Sequence, residues 1–163
     1  MYSGIDLHSN NSVIAIIDDT DGVVAQRRLP NDVTKITGFL ARRQDELTGV
    51  VIESTYNWYW LVDGLQDAGL HVHLANTAAI KQYEGLKHSG DEADARHLAH
   101  LLRLGILPTG TILPREHRAV RDLARKRMQL VHCCTTQVRS VENIMARHAG
   151  RTDDQQPDQA PDQ

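Results

Sequence analysis

The sequence predicts an α/β fold in which a mixed sheet carries helices on both faces and a long C-terminal helix follows. Three observations predict it. Short apolar runs separated by polar turns open the chain, which is typical of an antiparallel meander. Strand and helix patterns then alternate, and a heptad repeat of apolar residues occupies the last part. With 163 residues the chain has room for one domain with a core, plus an extension.

The individual elements follow from local signals. The polar run HSNN and the run DTDG separate the first three apolar stretches, so hairpin turns are predicted at both. Asn31 or Asp32 can cap the first helix. Strands that alternate with helices after a meander indicate a ribonuclease-H-like fold, in which ligands gather at the carboxyl ends of the strands. In chain order we predict two strands within residues 3–18, a strand over 23–29, a helix over 33–46, a strand over 50–53, a helix over 58–68, a strand over 70–75, a short helix within 76–90, and helices over 91–104 and 114–148.

Four acidic residues stand where a metal-dependent nuclease of this fold would need them. Asp6 interrupts the apolar opening strand, Glu53 closes the run GVVIE, and Asp91 and Asp94 begin a helix. Removing a carboxylate from water costs several kcal/mol unless its charge is compensated. A bound cation is the simplest compensation, and the four acids are therefore the predicted catalytic and metal-binding residues.

Magnesium is the predicted ion, with manganese as an alternative, because hard cations prefer oxygen ligands. Phosphodiester cleavage can use two such ions about 3.5–4 Å apart. Asp91 and Asp94 are three residues apart on a helix, which places their Cβ atoms roughly 5–6 Å apart on one face, close enough to share an ion. Asp6 would bridge the ions and Glu53 would complete their shell.

Simpler explanations exist for each acid. Asp91 and Asp94 also suit a helix cap and a solvated first turn, and Glu53 at a strand end also suits an exposed surface. The motif GID of Asp6 opens sugar kinases and actin-like ATPases as well, but the glycine-rich phosphate loops of those proteins are missing. His8 lies close to Asp6 in the sequence, and it could contact a phosphate or have no function. His71 and His73 share a strand face without a third ligand nearby in sequence, which disfavours zinc.

Basic residues are concentrated away from the opening strands. The net charge of −3 argues against a uniformly basic nucleic-acid binder, yet residues 115–147 hold eight basic and three acidic side chains. Such a local excess of positive charge could bind the phosphate backbone of a nucleic acid. Solvated faces, or ion pairs with a partner helix, explain the same residues equally well. The predicted nucleic-acid-binding residues are Lys87, Arg96, Arg118, Arg121 and Arg125.

Several motifs resemble one known family. GIDLHSN, VVIEST, KHSGDEADARHLAHLLRLGILPTGTILP and RAVRDLARKRMQLV are similar to the DEDD-type transposases of insertion-sequence family 110, relatives of the Piv DNA invertases. The similarity runs from about Gly4 to about Gly150, and its most specific part is the D-x-x-D-A motif of Asp91 to Ala95.

The resemblance implies a RuvC-like domain whose Asp6, Glu53, Asp91 and Asp94 hold Mg²⁺. It implies DNA and a structured bridge RNA as partners, and dimers or tetramers formed through the long helix. In the family a further domain supplies a serine nucleophile, so this chain is expected to be a truncated or separately made amino-terminal part. The expected organisation is a RuvC-like DEDD domain over residues 1–110, a long helix or coiled coil over 111–150 and a disordered tail over 151–163.

The predicted function is that of the N-terminal catalytic module of a transposase or site-specific recombinase. A stand-alone RuvC-like endonuclease or Holliday-junction resolvase would use the same acids, and a non-catalytic nucleic-acid-binding assembly protein would use only the fold. No apolar run approaches the ~20 residues that span a bilayer, so no membrane partner is expected. Adjacent Cys133 and Cys134 indicate reduced thiols, and a bacterial cytoplasmic location is expected.

Overall fold

The fold is known from a computed structural model that describes residues 1–54, 58–80 and 90–150. Its strands form one mixed sheet in the order β3-β2-β1-β4-β5-β6. The predicted α/β class with a ribonuclease-H-like arrangement is confirmed. The strands are β1 (Tyr2–Leu7), β2 (Asn11–Ile17), β3 (Val23–Pro30), β4 (Gly49–Glu53), β5 (Val72–Ala75) and β6 (Thr109–Gly110).

Strand directions divide the sheet into a meander and a parallel part. β1, β2 and β3 pair antiparallel as predicted, whereas β4 lies parallel to β1, and β5 lies parallel to β4. β6 pairs antiparallel with the end of β5 and was not predicted, because two residues are too short to show an alternating pattern. The parallel strands bring the carboxyl ends of β1 and β4 to the same edge of the sheet.

Helix boundaries follow local capping. The side chain of Asp32 accepts hydrogen bonds from the amides of Thr34 and Lys35, so Asp32 rather than Asn31 caps the first helix. The predicted extension of this helix to residue 46 is wrong: Arg43 leaves the helical conformation, and a separate 3₁₀ turn covers Gln44–Glu46. The helices are α1 (Val33–Ala41), α2 (Tyr59–Asp67), α3 (Thr77–Ile80), α4 (Asp91–Arg103) and α5 (Arg115–Ala149).

The two faces of the sheet are covered by different helices. The larger core lies on the face covered by α1 and α2, with fully buried side chains such as Ile14, Ile52 and Leu61. On the opposite face α4 packs on β1, β2 and β4. Its Ala95 contacts Val13 and Ala15, a cluster of small side chains that lets the helix approach closely. The first turn of α4 therefore lies near the sheet edge where β1 and β4 end.

Gly4 permits this close approach. A Cβ atom at Gly4 would overlap the carbonyl oxygen of Ala95 and lie 2.8 Å from the amide nitrogen of Ala99. Gly4→Ala is expected to lower the free energy of unfolding by about 1–3 kcal/mol. The added methyl group would clash with backbone atoms of α4, which cannot move aside as a flexible side chain can. Urea denaturation measures this change. Gly38→Ala is the matched control, since Gly38 lies in α1 with no atom near its added Cβ, and this change should stabilise the protein by up to about 1 kcal/mol.

The chain divides into two compact units, Met1–Ile112 and Leu113–Gln163. The second unit consists, in its described part, of the 35-residue helix α5. Its large apolar side chains are mostly solvent-exposed; Leu123, for example, is 72% exposed. None of the helices in the described ranges has the length and apolar character needed to cross a bilayer. The predicted tail over 151–163 lies outside the described residues.

Candidate metal centre

The four predicted acids come from three separate elements that meet at one edge of the sheet. Ile5 of β1 pairs with Ile52 of β4 in parallel register, so Asp6 and Glu53 follow at neighbouring positions on the same face. This is the face that α4 covers. Asp91 and Asp94 lie in the first turn of α4, and the fold thereby brings distant parts of the sequence to one place.

Asp6 is the centre of this cluster. Its side chain is buried, with the residue only 4% exposed, and it shares a hydrogen bond with the side chain of Glu53. Burial raises the pKa of Asp6 above its ordinary 3.8, and the negative charges of Asp94 and Asp91 add to this effect; His8 and the Glu53 hydrogen bond act in the opposite direction. A hydrogen bond between two carboxyl groups requires that one carries a proton. The cluster therefore holds excess negative charge that a proton or a cation must compensate.

Two basic side chains approach the same carboxylates. The Nε2 atom of His8 lies 3.2 Å from Oδ2 of Asp6 and 3.4 Å from Oδ2 of Asp91. A guanidinium nitrogen of Arg28 donates to the same Asp91 oxygen at 2.7 Å, while another donates to Oδ1 of Asn11 at 2.8 Å. The Arg28 hydrogen bond is the main reason that the pKa of Asp91 lies below its ordinary value.

Asp91 is not the cap of α4. The helix begins at Asp91 itself, and its N-cap is Gly90. The backbone φ of Gly90 is 124°, in a region that residues other than glycine rarely adopt. The carboxylate of Asp91 instead contacts Arg28 and His8. β3 also contacts the start of the helix through the side chain of Gln26, whose Nε2 atom donates to the backbone carbonyl oxygen of Glu92 at 3.1 Å. The sheet thus fixes the orientation of the helix turn that carries two of the acids.

Sequence reasoning missed Arg28 and left His8 undecided. Both could have been found from strand periodicity. His8 is two residues after Asp6 and so shares its side of the strand. Asp6 pairs with Val13 in β2, and Val13 pairs with Arg28 in β3, which places Asp6 and Arg28 in one row across the sheet. Counting the register through both predicted hairpin turns identifies that row.

The residues present suit a divalent cation. Single ligand atoms of Asp6, His8 and Asp91 lie within 4.8 Å of one another. Asp6 is a buried carboxylate in negative surroundings, which is the environment that a cation relieves. Glu53 and Asp94 add further carboxylates next to Asp6. The donor set is therefore rich in hard oxygen atoms, with one imidazole nitrogen beside them.

A second ion-pair cluster connects the β2–β3 turn to α4. Asp21, in a left-handed conformation with φ of 70°, accepts a hydrogen bond from Arg96 at 2.9 Å. Nδ1 of His100 lies 2.7 Å from its other carboxylate oxygen, and Arg103 donates to the carbonyl oxygen of Asp19 at 3.2 Å. Desolvation raises the pKa of Asp21, but the hydrogen bonds and charges of His100 and Arg96 outweigh it and hold the pKa below 3.8.

This depressed pKa has a direct consequence for acid stability. Since the folded protein binds the Asp21 proton less readily than the unfolded chain does, Asp21 stabilises the fold above pH ~3.8, and this contribution is lost as pH falls through the lower folded-state pKa. Asp21→Asn is expected to cost about 1 kcal/mol at neutral pH and to make unfolding below pH ~4 less steep. Thermal melts across pH measure both effects, and Asp19→Asn, at an exposed position in the same turn, should change neither.

The predicted nucleic-acid-binding residues have different surroundings. Arg96 is half exposed but engaged with Asp21. Arg118 is 5% exposed, and its Nε donates to the carbonyl oxygen of Leu113 at 2.8 Å. Arg121 lies 3.3 Å from Asp122, whereas Arg125 is exposed. Lys87 lies outside the described residues. The role of these residues in nucleic-acid binding stays a prediction.

A buried carboxylate at the end of a central strand, joined by acids from a parallel neighbour and a helix, is an arrangement typical of nuclease-like enzymes with a ribonuclease-H-like fold. A scan against protein families agrees with that class. Residues 3–149 match the family model of the DEDD transposases of insertion-sequence family 110, described as a transposase. The chain therefore belongs to that transposase family. A comparison with curated proteins found no match.

Proposed function

We propose that this chain carries the metal-dependent catalytic site of its transposase family, and that Asp6, Glu53, Asp91 and Asp94 hold Mg²⁺ there for cleavage and transfer of DNA strands. One observation carries the proposal: the buried carboxyl of Asp6, in β1, has one acid from β4 and two from the first turn of α4 near it. A fold has no structural reason to collect three acids around a desolvated carboxylate, because their mutual repulsion destabilises it.

Each acid has a role in this proposal that follows from its surroundings. Asp6, held by the sheet, would provide the central oxygen atoms, and Glu53 beside it would complete the ligand set. Asp91 is oriented by Arg28, which donates to its Oδ2 atom at 2.7 Å. When bound, Mg²⁺ would activate the attacking oxygen and stabilise charge on the phosphate.

The nucleic-acid partners belong to the proposal as well. Transposase membership implies DNA as a partner. We extend this to a guide RNA of the bridge type, for which the basic excess of α5 offers phosphate contacts; Arg125 and Lys126 are exposed members of that excess. Binding through such contacts should weaken steeply with salt, as counterion release requires.

A cleavage assay on branched and linear DNA, with Mg²⁺ or with chelator, tests the function. Mg²⁺-dependent nicking that is lost in both Asp6→Asn and Asp94→Asn supports the metal site. Joined products identify strand transfer, whereas nicked products alone identify hydrolysis by an endonuclease. RNA that copurifies at moderate salt and restricts cleavage to matching DNA supports the guide. Mg²⁺-independent DNA binding, with no metal uptake and no cleavage, would contradict the proposal and indicate an assembly protein.

A further inference from the structure

We propose that His8 is a nitrogen ligand of the metal centre, and that it strengthens the preference of the centre for Co²⁺ over Mg²⁺. The inference rests on the proposed metal site formed by the four acids. It adds a fifth residue to the centre, and it predicts a stronger preference for Co²⁺ over Mg²⁺ than the four carboxylates alone would give.

The position of the His8 ring is the first argument. Its Nε2 atom lies 3.2 Å from Asp6 Oδ2 and 3.4 Å from Asp91 Oδ2. Two atoms bound to one ion at about 2.1 Å lie about 3.0 Å apart at a right angle and about 3.4 Å apart at the tetrahedral angle. The observed separations therefore match those of atoms that share one ion.

The state of the Nε2 atom is the second argument. It is shielded from solvent and, among the described residues, has no hydrogen-bond partner, although two carboxylates stand near it. The ring thus faces Asp6 and Asp91 without the alignment that a hydrogen bond needs. An imidazole nitrogen that lies near two carboxylate oxygens without being directed at either has the arrangement of a third ligand, since ligand atoms are directed at an ion rather than at each other.

Hydrogen bonds hold the backbone of His8 in place. The amide of His8 donates to the carbonyl oxygen of Asn11 at 2.9 Å across the β1–β2 turn. Its carbonyl oxygen accepts a hydrogen bond from Nδ2 of Asn31 at 2.9 Å, and Oδ1 of Asn31 accepts one from Ser12 at 2.7 Å. The backbone of His8 is therefore fixed by residues at the start and just after the end of the β2–β3 hairpin, so only the side-chain torsions must be ordered when His8 binds an ion.

An imidazole ligand changes which ions the centre prefers. Mg²⁺ favours oxygen ligands, and a nitrogen ligand adds little to its binding. Co²⁺ is a first-row transition ion, and an imidazole ligand adds more to its binding than to that of Mg²⁺. A centre of carboxylates with one histidine should consequently discriminate between these ions more strongly than the same carboxylates alone.

Metal titrations and spectroscopy of the whole chain test the inference. In wild-type protein loaded with Mn²⁺, electron spin-echo modulation should show nitrogen coupling from a bound imidazole, and the coupling should vanish in His8→Asn. The same variant should raise the Kd for Co²⁺ at least about tenfold and the Kd for Mg²⁺ less than about threefold, as measured by calorimetry. His71→Asn is the matched control, because His71 precedes β5 at the opposite edge of the sheet, and it should behave as wild type.

The outcomes separate this inference from the proposed function. Metal binding without nitrogen coupling in the wild type would overturn the role of His8 and leave the acidic site intact. This measurement uses wild-type protein alone, so it does not depend on whether the His8→Asn variant folds. Coupling that persists in His8→Asn would also overturn it, since another nitrogen would be the ligand. Absence of any divalent metal binding by the wild type would overturn the proposed metal site together with the inference.

Discussion

Asp6→Asn is expected to abolish metal-dependent cleavage while making the metal-free protein more stable. Cleavage should fall by on the order of 10³-fold, because the variant loses the central charge that holds the cation. Stability should rise by about 1 kcal/mol, the order of magnitude for relieving a desolvated polar group, since a buried carboxyl with a raised pKa is replaced by a neutral amide that can donate to Glu53. For a unit of this size, that gain raises Tm by about 4–8 °C.

The pH dependence of that gain follows from the direction of the pKa shift. Because the folded protein holds the Asp6 proton more tightly than the unfolded chain does, ionised Asp6 destabilises the fold, and the cost grows as pH rises from 3.8 through the folded-state pKa. The stability difference between Asp6→Asn and wild type should therefore be small at pH 3.5 and largest at neutral pH. Saturating Mg²⁺ should stabilise the wild type and leave the variant unchanged.

Asp45→Asn is the matched control for this experiment, since Asp45 is an exposed aspartate in the 3₁₀ turn. It should leave cleavage, metal-free stability and the response to Mg²⁺ as in wild type. A Tm for Asp6→Asn that lies below the wild-type value without metal would show that Asp6 serves the fold. That result would contradict the role given to it here.

The second large effect concerns helix α5. We expect the isolated chain to form oligomers through this helix, and Val131→Glu combined with Val138→Glu to dissociate them into monomers. Val131 and Val138 are seven residues apart and are 44% and 51% exposed. Exposed apolar side chains at heptad spacing are typical of a helix that pairs with another helix. Two glutamates in that seam would be buried without partners, which association cannot tolerate.

Light scattering after size-exclusion chromatography measures this effect. Gln129→Glu combined with Thr136→Glu is the matched control, because it adds the same charge at the same spacing on the opposite side of α5. The control should remain oligomeric, and both double variants should keep the metal-dependent stabilisation of the first unit. A wild-type chain that is monomeric at high concentration would contradict the pairing role of α5.

Much of the fold was accessible from the sequence because its signals are local. The meander, the Asp32 cap and the long α5 each depend on residues within one or two turns of one another. The errors share a cause. The predicted helix over 33–46 ends early because the apolar spacing of Ile36, Phe39 and Leu40 does not report where the backbone leaves the helix, and β6 is too short to show a period.

The candidate site was accessible only in part. Asp6, Glu53, Asp91 and Asp94 were predicted as site residues because carboxylates at strand ends and helix starts are conspicuous in apolar surroundings. Arg28 was missed because its contact with Asp91 spans 63 residues and depends on the register of two hairpins. The role of His8 was left undecided for a related reason. Its contact with Asp91 on α4 depends on how the helix packs on the sheet, which the sequence does not show directly.

An anomalous diffraction map of crystals grown with Mn²⁺ shows whether these acids hold a cation. We expect a strong anomalous peak at the carboxyl ends of β1 and β4, within bonding distance of Asp6 and of at least two of Glu53, Asp91 and Asp94. A fully occupied peak elsewhere, or no peak at a Mn²⁺ concentration that saturates binding, would contradict the proposed metal site.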